Sequence, residues 1–278
     1  ADASGSTDPQ QGPLTYAFSF GDGGSAGPQS QPTATHTYAA AGTYTVTVTV
    51  TNTANLTSTA TAPVTVQAGG GGSGPAGYVS QIASNFSTNT HSSGSLTVWR
   101  TQGVQAGDLM VVTLQLTGTS AGAVTGTDDA GDTLTVAADA ADGSGNRLVV
   151  LSGVAATGLA TNQKITVTFP SATTYRLTGD EASGVVAADQ QATASGTTTT
   201  YASGPTATTT DPDELVFGAV GLVGGTAPAW ASGWTALSTY SVGTNYLGRA
   251  YRTTTAPGQF NATGSGTGGW LAVCATFH

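Results

Sequence analysis

The chain is poor in charge. Only 8% of its 278 residues are Asp, Glu, Lys or Arg, roughly a third of the share in an average soluble domain. Lys164 is its one lysine, and the net charge is -9. So few cations cannot neutralise a run of phosphates, which excludes nucleic acid as a partner and disfavours anionic membrane surfaces. Cys274 is the single cysteine, so no disulfide forms within the chain; secretion stays open, because an oxidising compartment permits disulfides without requiring them. No apolar stretch repeats at helical spacing, and no membrane-spanning run, leader or sorting motif is legible. The three histidines, His36, His91 and His278, fall in no metalloprotease or nucleophile-and-base motif.

What fills the chain instead is Thr, Ser, Gly and small apolar residues. Thr43 to Thr51 reads T-Y-T-V-T-V-T-V-T, with Tyr44, Val46, Val48 and Val50 on one face and hydroxyls on the other. Strict alternation of β-branched residues predicts a half-buried strand. Pro, Gly, Ser and Thr break the rest into short runs, which predicts an all-β, sandwich-type protein.

Residues 1–66 form the first predicted domain. Strands are expected over 14–20, 34–38, 43–51 and 60–67, with Gly21-Asp22-Gly23-Gly24 supplying a tight turn. Asp2 to Pro9, Leu14 to Gly23, His36-Thr37-Tyr38 and Gly42 to Val46 together resemble the PKD domain. That resemblance implies an Ig-like sandwich of the kind found in surface-layer proteins, adhesins and accessory regions of secreted hydrolases. Two departures stand out. Phe18-Ser19 replaces the family's usual Trp-Asp pair, and the chain starts at the motif that one or two strands usually precede. The expected result is a sandwich lacking its first strands, with apolar side chains uncovered.

Residues 67–77, Q-A-G-G-G-G-S-G-P-A-G, read as a Gly-rich linker. Residues 78–278 are expected to form one larger, jelly-roll-like β-sandwich of about ten strands. Asp108 to Val112 and Glu214 to Val220 have the continuous apolar character of central strands buried on both faces. Gly107-Asp108, Asp129 to Thr133, Asp213 to Val216 and Trp270 to Ala272 resemble, in their order, a secreted bacterial β-sandwich domain of unassigned activity.

Several groups are candidate sites. Asp128, Asp129 and Asp132 share one dense acidic loop, and closely spaced aspartates can supply the oxygens that Ca²⁺ takes. Hairpin-turn capping accounts for the same residues. Asp2, Asp8 and Asp22 are a second Ca²⁺ candidate, implied by some PKD relatives. Trp230, Trp234 and Tyr240 concentrate rings that can stack on sugar faces, although rings in a sandwich more often fill its core. Thr45, Thr47, Thr49, Thr198 and Thr199 are candidate O-glycosylation positions. Glu181 and Glu214, the two glutamates, are expected as exposed or turn-capping acids, so no catalytic pair is expected and no cofactor is required.

These observations lead to a non-catalytic extracellular structural or adhesive protein of a prokaryotic cell surface. Self-assembly into a filament or layer by β-strand complementation is the expected partnership, with surface glycans as a further partner. The alternative is a carbohydrate-binding accessory region of a secreted hydrolase. A hydrolase whose acids meet only in the fold is a third reading.

Overall fold

A computed structural model describes residues 1–36, 42–66 and 74–278. The end of the predicted strand 34–38, and linker residues 67–73, lie outside the described residues. The chain divides into two compact units, Ala1–Gly69 and Gly70–His278. Every regular element among the described residues is a strand.

The first unit holds one antiparallel sheet. Its strands are β1 (Thr15–Ser19), β2 (Ser25–Gln29), β3 (Gly42–Thr51) and β4 (Thr57–Val66), in the order β2-β1-β3-β4. The register places Tyr16 opposite Val50, Phe18 opposite Val48, Val48 opposite Ala60 and Val46 opposite Ala62. Alternation therefore puts Tyr16, Phe18, Val46, Val48, Val50, Ala60 and Ala62 on one face and a field of threonines on the other. The turn after β1 depends on glycine: Gly21 has φ +84°, and a Cβ there would meet the Thr45 backbone at 2.8 Å.

A buried Tyr-Val face follows from the alternation, but the burial is partial. Tyr16, Phe18 and Phe20 are buried, while Val46, Val48 and Val50 are only half-buried. A sheet face is buried only by a second layer. Here the covering includes the chain around Ala3 and Ala34, where an Asp2–Thr33 bridge joins the two segments.

The second unit begins inside the predicted linker, since Ala76 is already buried in a core. Its first eight strands are β5 (Gly77–Ser87), β6 (His91–Thr97), β7 (Leu109–Thr117), β8 (Thr125–Asp128), β9 (Thr133–Ala141), β10 (Arg147–Val154), β11 (Lys164–Ala172) and β12 (Thr174–Ser183). They run β5-β12-β7-β10-β9 and continue through β8-β11-β6, folding back into a jelly roll.

Then the pattern repeats. The remaining strands are β13 (Ala188–Gly196), β14 (Thr200–Ala202), β15 (Asp213–Val223), β16 (Ala229–Trp230), β17 (Thr235–Ala236), β18 (Tyr240–Val242), β19 (Asn245–Thr255), β20 (Thr263–Ser265) and β21 (Gly269–Phe277). Their sheets run β13-β21-β15-β19-β17 and β14-β20-β16. Strand for strand this is the order of β5 to β12, with β18 added. The sequence predicts one large sandwich over 78–278; the jelly roll is there, and it is there twice.

Three layers of core result. Even-numbered residues of β7 (Met110, Val112, Leu114, Leu116) fill the first jelly roll with Ile165, Val167 and Leu177. Odd-numbered Leu109 and Val111 meet Leu215, Phe217, Ala219, Val273 and Ala275, so the two jelly rolls pack face to face. Val216, Val220 and Leu222 turn inward to fill the second. This explains why β7 and β15 are buried at almost every position: both faces are core.

Candidate functional site

Two concave regions stand out, one in each unit. The first is a groove of ≈ 380 Å³ on the half-covered sheet, lined by Phe18, Phe20, Val46, Val48, Ala62 and Val64 among others. Its walls come from the alternation of β1, β3 and β4, and among the described residues its ionisable lining groups are the Ala1 amino group, Asp2 and His36. The His36 ring stacks on Phe20 with centroids 4.2 Å apart. Its Nε2 lies 2.7 Å from Asp22 Oδ2, and this bond, with that from Gly24 N, holds the Asp22 carboxyl below its usual range. Gly24 is small for a reason: a Cβ would meet the His36 ring at 2.4 Å.

The second is a shallow cleft of ≈ 580 Å³ at one end of the first jelly roll. Three loops build it, contributing Gln102 to Ala106, Ala130, and Thr157 to Gln163. Reciprocal backbone bonds between Val104 and Leu159 tie the first loop to the third, and Lys164 N donates to Asp129 Oδ2 at 2.8 Å to hold the second. Beneath them lies a buried brace. Arg100 donates to Glu181, to the Gly103 carbonyl and to Ser80, and Gln105 N donates to Glu181 Oε1 at 2.7 Å. Asp108 sits beside Glu181, and burial together with that neighbour pushes its carboxyl up to about 6.

Glu181 and Glu214 are therefore not exposed caps: both are buried. The strand register makes β12 and β21 equivalent neighbours of β7 and β15, so Glu214 on β15 corresponds to Asp108, and Glu181 on β12 lies beside that position in the first jelly roll. Burial pushes the Glu214 carboxyl up, against a bond from Thr276, which occupies the position equivalent to Glu181. On the opposite face of β12, Asp180 pairs with Arg249 and accepts from Tyr78 Oη at 3.1 Å. That buried pair joins the two jelly rolls, alongside Tyr78 stacked on Tyr251 at 4.7 Å.

The remaining predicted residues fall as follows. Asp128 Oδ1 accepts from Ala130 N and Asp132 N, while Asp132 Oδ2 accepts from Ala156 N, so the acidic loop caps its own turns. Asp2 accepts from Ser4 N and Asp8 from Gly12 N. Among the described residues no three His, Cys, Asp or Glu side chains gather as a metal site would require. Trp230 and Trp234, 5.4 Å apart and half-buried, cover Gly218, where a Cβ would meet both rings. Tyr240 is engaged elsewhere, donating to Gln81 Oε1 at 2.8 Å with Arg176 and Arg249 against its ring. Thr45, Thr198 and Thr199 are exposed, and Thr47 and Thr49 half-buried. Cys274 lies in the second jelly roll's core, where burial pushes its thiol up to about 12.

Aromatic density drew attention to Trp230 and Trp234, but the most exposed tryptophan is Trp99, at 65%. Its isolation in the sequence gave no signal.

Against this geometry, comparison with known proteins adds one assignment. Residues 1–66 match the family model of the PKD domain, as the motifs there imply. No curated protein matches the chain. A matching solved structure is described as "Structural basis for the promiscuous specificity of the carbohydrate-binding modules from the beta-sandwich super family". It is 18% identical, covers 65% of this chain and 83% of its own, and has a TM-score of 0.25. No helix among the described residues is long and apolar enough to cross a membrane.

Proposed function

We propose that the protein is a non-catalytic extracellular subunit of a prokaryotic cell surface, structural or adhesive, that assembles with copies of itself. The occupant of the N-terminal groove is a β-strand from another copy, laid across the Phe18–Val48–Ala62 face as the missing second layer. The observation that carries this is the groove itself: an apolar channel on a sheet whose valines are only half-buried. Exposed apolar surface of this extent favours a partner. The chain's own alternating strands, Thr-Val in β3 and Thr-Ala in β4, have the uncharged character such a groove accepts. A chain with only 8% charged residues offers little repulsion between copies. Surface glycans, Ca²⁺ at the aspartate turns and O-linked sugar on the exposed threonines are compatible additions to this reading.

The test is negative-stain microscopy and light scattering across a hundredfold concentration range. Filaments, sheets or discrete oligomers are expected from the unaltered chain, and their loss on Ala62→Arg, which places a charge in the groove. A monomer at every concentration contradicts the proposal.

A further inference from the structure

We propose that the loop-end cleft of the first jelly roll, together with the exposed Trp99 on the strand end bonded to one of its wall loops, binds an uncharged saccharide. The residues that line the cleft carry no titratable side chain. An ionic ligand would find no counter-charge there, whereas a neutral polar one needs none. The polar side chains among its lining residues are amides and a hydroxyl: Gln102, Gln105, Gln163 and Thr157.

Those amides are partly committed in a useful way. Gln105 Nε2 donates to the Gln102 carbonyl, which fixes that side chain and leaves its Oε1 as an acceptor. Gln163 Oε1 accepts from Ala160 N at 2.6 Å, which fixes the other and leaves its Nε2 as a donor. Sugar hydroxyls donate and accept at once, so a fixed acceptor and a fixed donor in one cleft suit them.

Trp99 supplies the apolar half of the recognition. Val98 O accepts from Asn162 N and Arg100 O from Thr161 Oγ1, so the residue is pinned on both sides to the loop forming one wall. An indole 65% exposed, on a pinned backbone, is a platform for the C–H face of a pyranose ring. The Arg100–Glu181 brace below keeps loop 100–105 in place before any ligand arrives, and the Val104–Leu159 bonds with that from Thr161 Oγ1 tie loop 157–163 to it. Binding to such a preformed site avoids the entropy of ordering loops.

The experiment uses the full chain, with cellohexaose, xylohexaose, mannohexaose and chitohexaose titrated by calorimetry, and polygalacturonate as the charged control. At least one neutral hexasaccharide is expected to bind, with affinity unchanged in 0.5 M NaCl. Trp99→Ala should weaken it at least tenfold, and Gln105→Ala with Gln163→Ala comparably, while Trp230→Phe leaves it unchanged. Melting curves of the variants confirm folding, and the exposure of Trp99 predicts no loss there. Failure of all four saccharides to bind overturns the inference, as does binding that survives Trp99→Ala or that appears only with polygalacturonate.

Discussion

The two units meet the same problem with different outcomes. Each is built of strands whose side chains alternate or run apolar, and each must cover the faces so created. In the second unit both faces of the central strands are covered: β7 and β15 are buried along their length because one jelly roll is stacked on the other. In the first, β3 carries an equally regular apolar stripe, yet Val46, Val48 and Val50 stay half-buried. Regularity of sequence is therefore no measure of burial. A second layer must exist, and the duplicated unit makes its own while the PKD segment leaves a groove.

That contrast can be broken by mutation, and the chain is convenient for it. Trp99, Trp230, Trp234 and Trp270 are its four tryptophans and all lie in the second unit, so tryptophan fluorescence follows that unit alone. The largest effect is expected at the seam between the jelly rolls. Asp180→Ala leaves Arg249, which is fully buried, without its carboxylate, at a cost of about 3–5 kcal/mol. Denaturant unfolding read by fluorescence should show it; a loss under 1 kcal/mol means the seam is wet. Phe217→Ala, in the core between the jelly rolls, is expected to cost about 3–4 kcal/mol by the same readout.

A smaller effect comes with pH. The Asp108 carboxyl, beside Glu181, titrates near 6 in the folded chain, against roughly 4 in an unfolded one. Between those values the folded state keeps a proton that the unfolded state has lost. Stability therefore falls as pH rises from about 4 to 6, with the whole penalty present above that window. Asp108→Asn should flatten the dependence and stabilise the second unit at pH 7.5. A pH profile unchanged by the substitution removes Asp108 as its source. Smallest of all should be Val48→Ala in the monomeric chain, at about 1 kcal/mol in circular dichroism melts, because a half-buried methyl pair has less to lose. A cost of 3 kcal/mol would mean the face is already covered.

Much of the fold was legible before the structure. The alternation of Thr43 to Thr51, the Gly21 turn and the two long apolar runs identify an all-β chain and its central strands. The duplication was not, because equivalent positions share little chemistry. Val150 corresponds to Arg249 and Glu181 to Thr276 by register, and only Gly107-Asp108-Leu109 and Asp213-Glu214-Leu215 look alike. Edge strands such as β13, A-D-Q-Q-A-T-A-S-G, carry no apolar stripe to detect. The cleft was invisible for another reason: Gln102, Ala130 and Gln163 come from three loops that meet only in space, and glutamine announces no chemistry. Glu181 and Glu214 mislead in the other direction, since neighbouring aspartates suggest exposure, whereas the Arg100 pair, for Glu181, and the inward parity of β15, for Glu214, bring them inside.

The proposed completion of the N-terminal sheet by another copy of the chain has a direct chemical readout. Hydroxyl-radical footprinting, read by mass spectrometry at Val46, Val48 and Val64, tests it most directly. The account predicts rapid oxidation at low concentration and protection at these three positions as assemblies form, with Val46 and Val48 again oxidised in Ala62→Arg. Oxidation rates that are low in the dilute monomer, or identical across all concentrations, would contradict it.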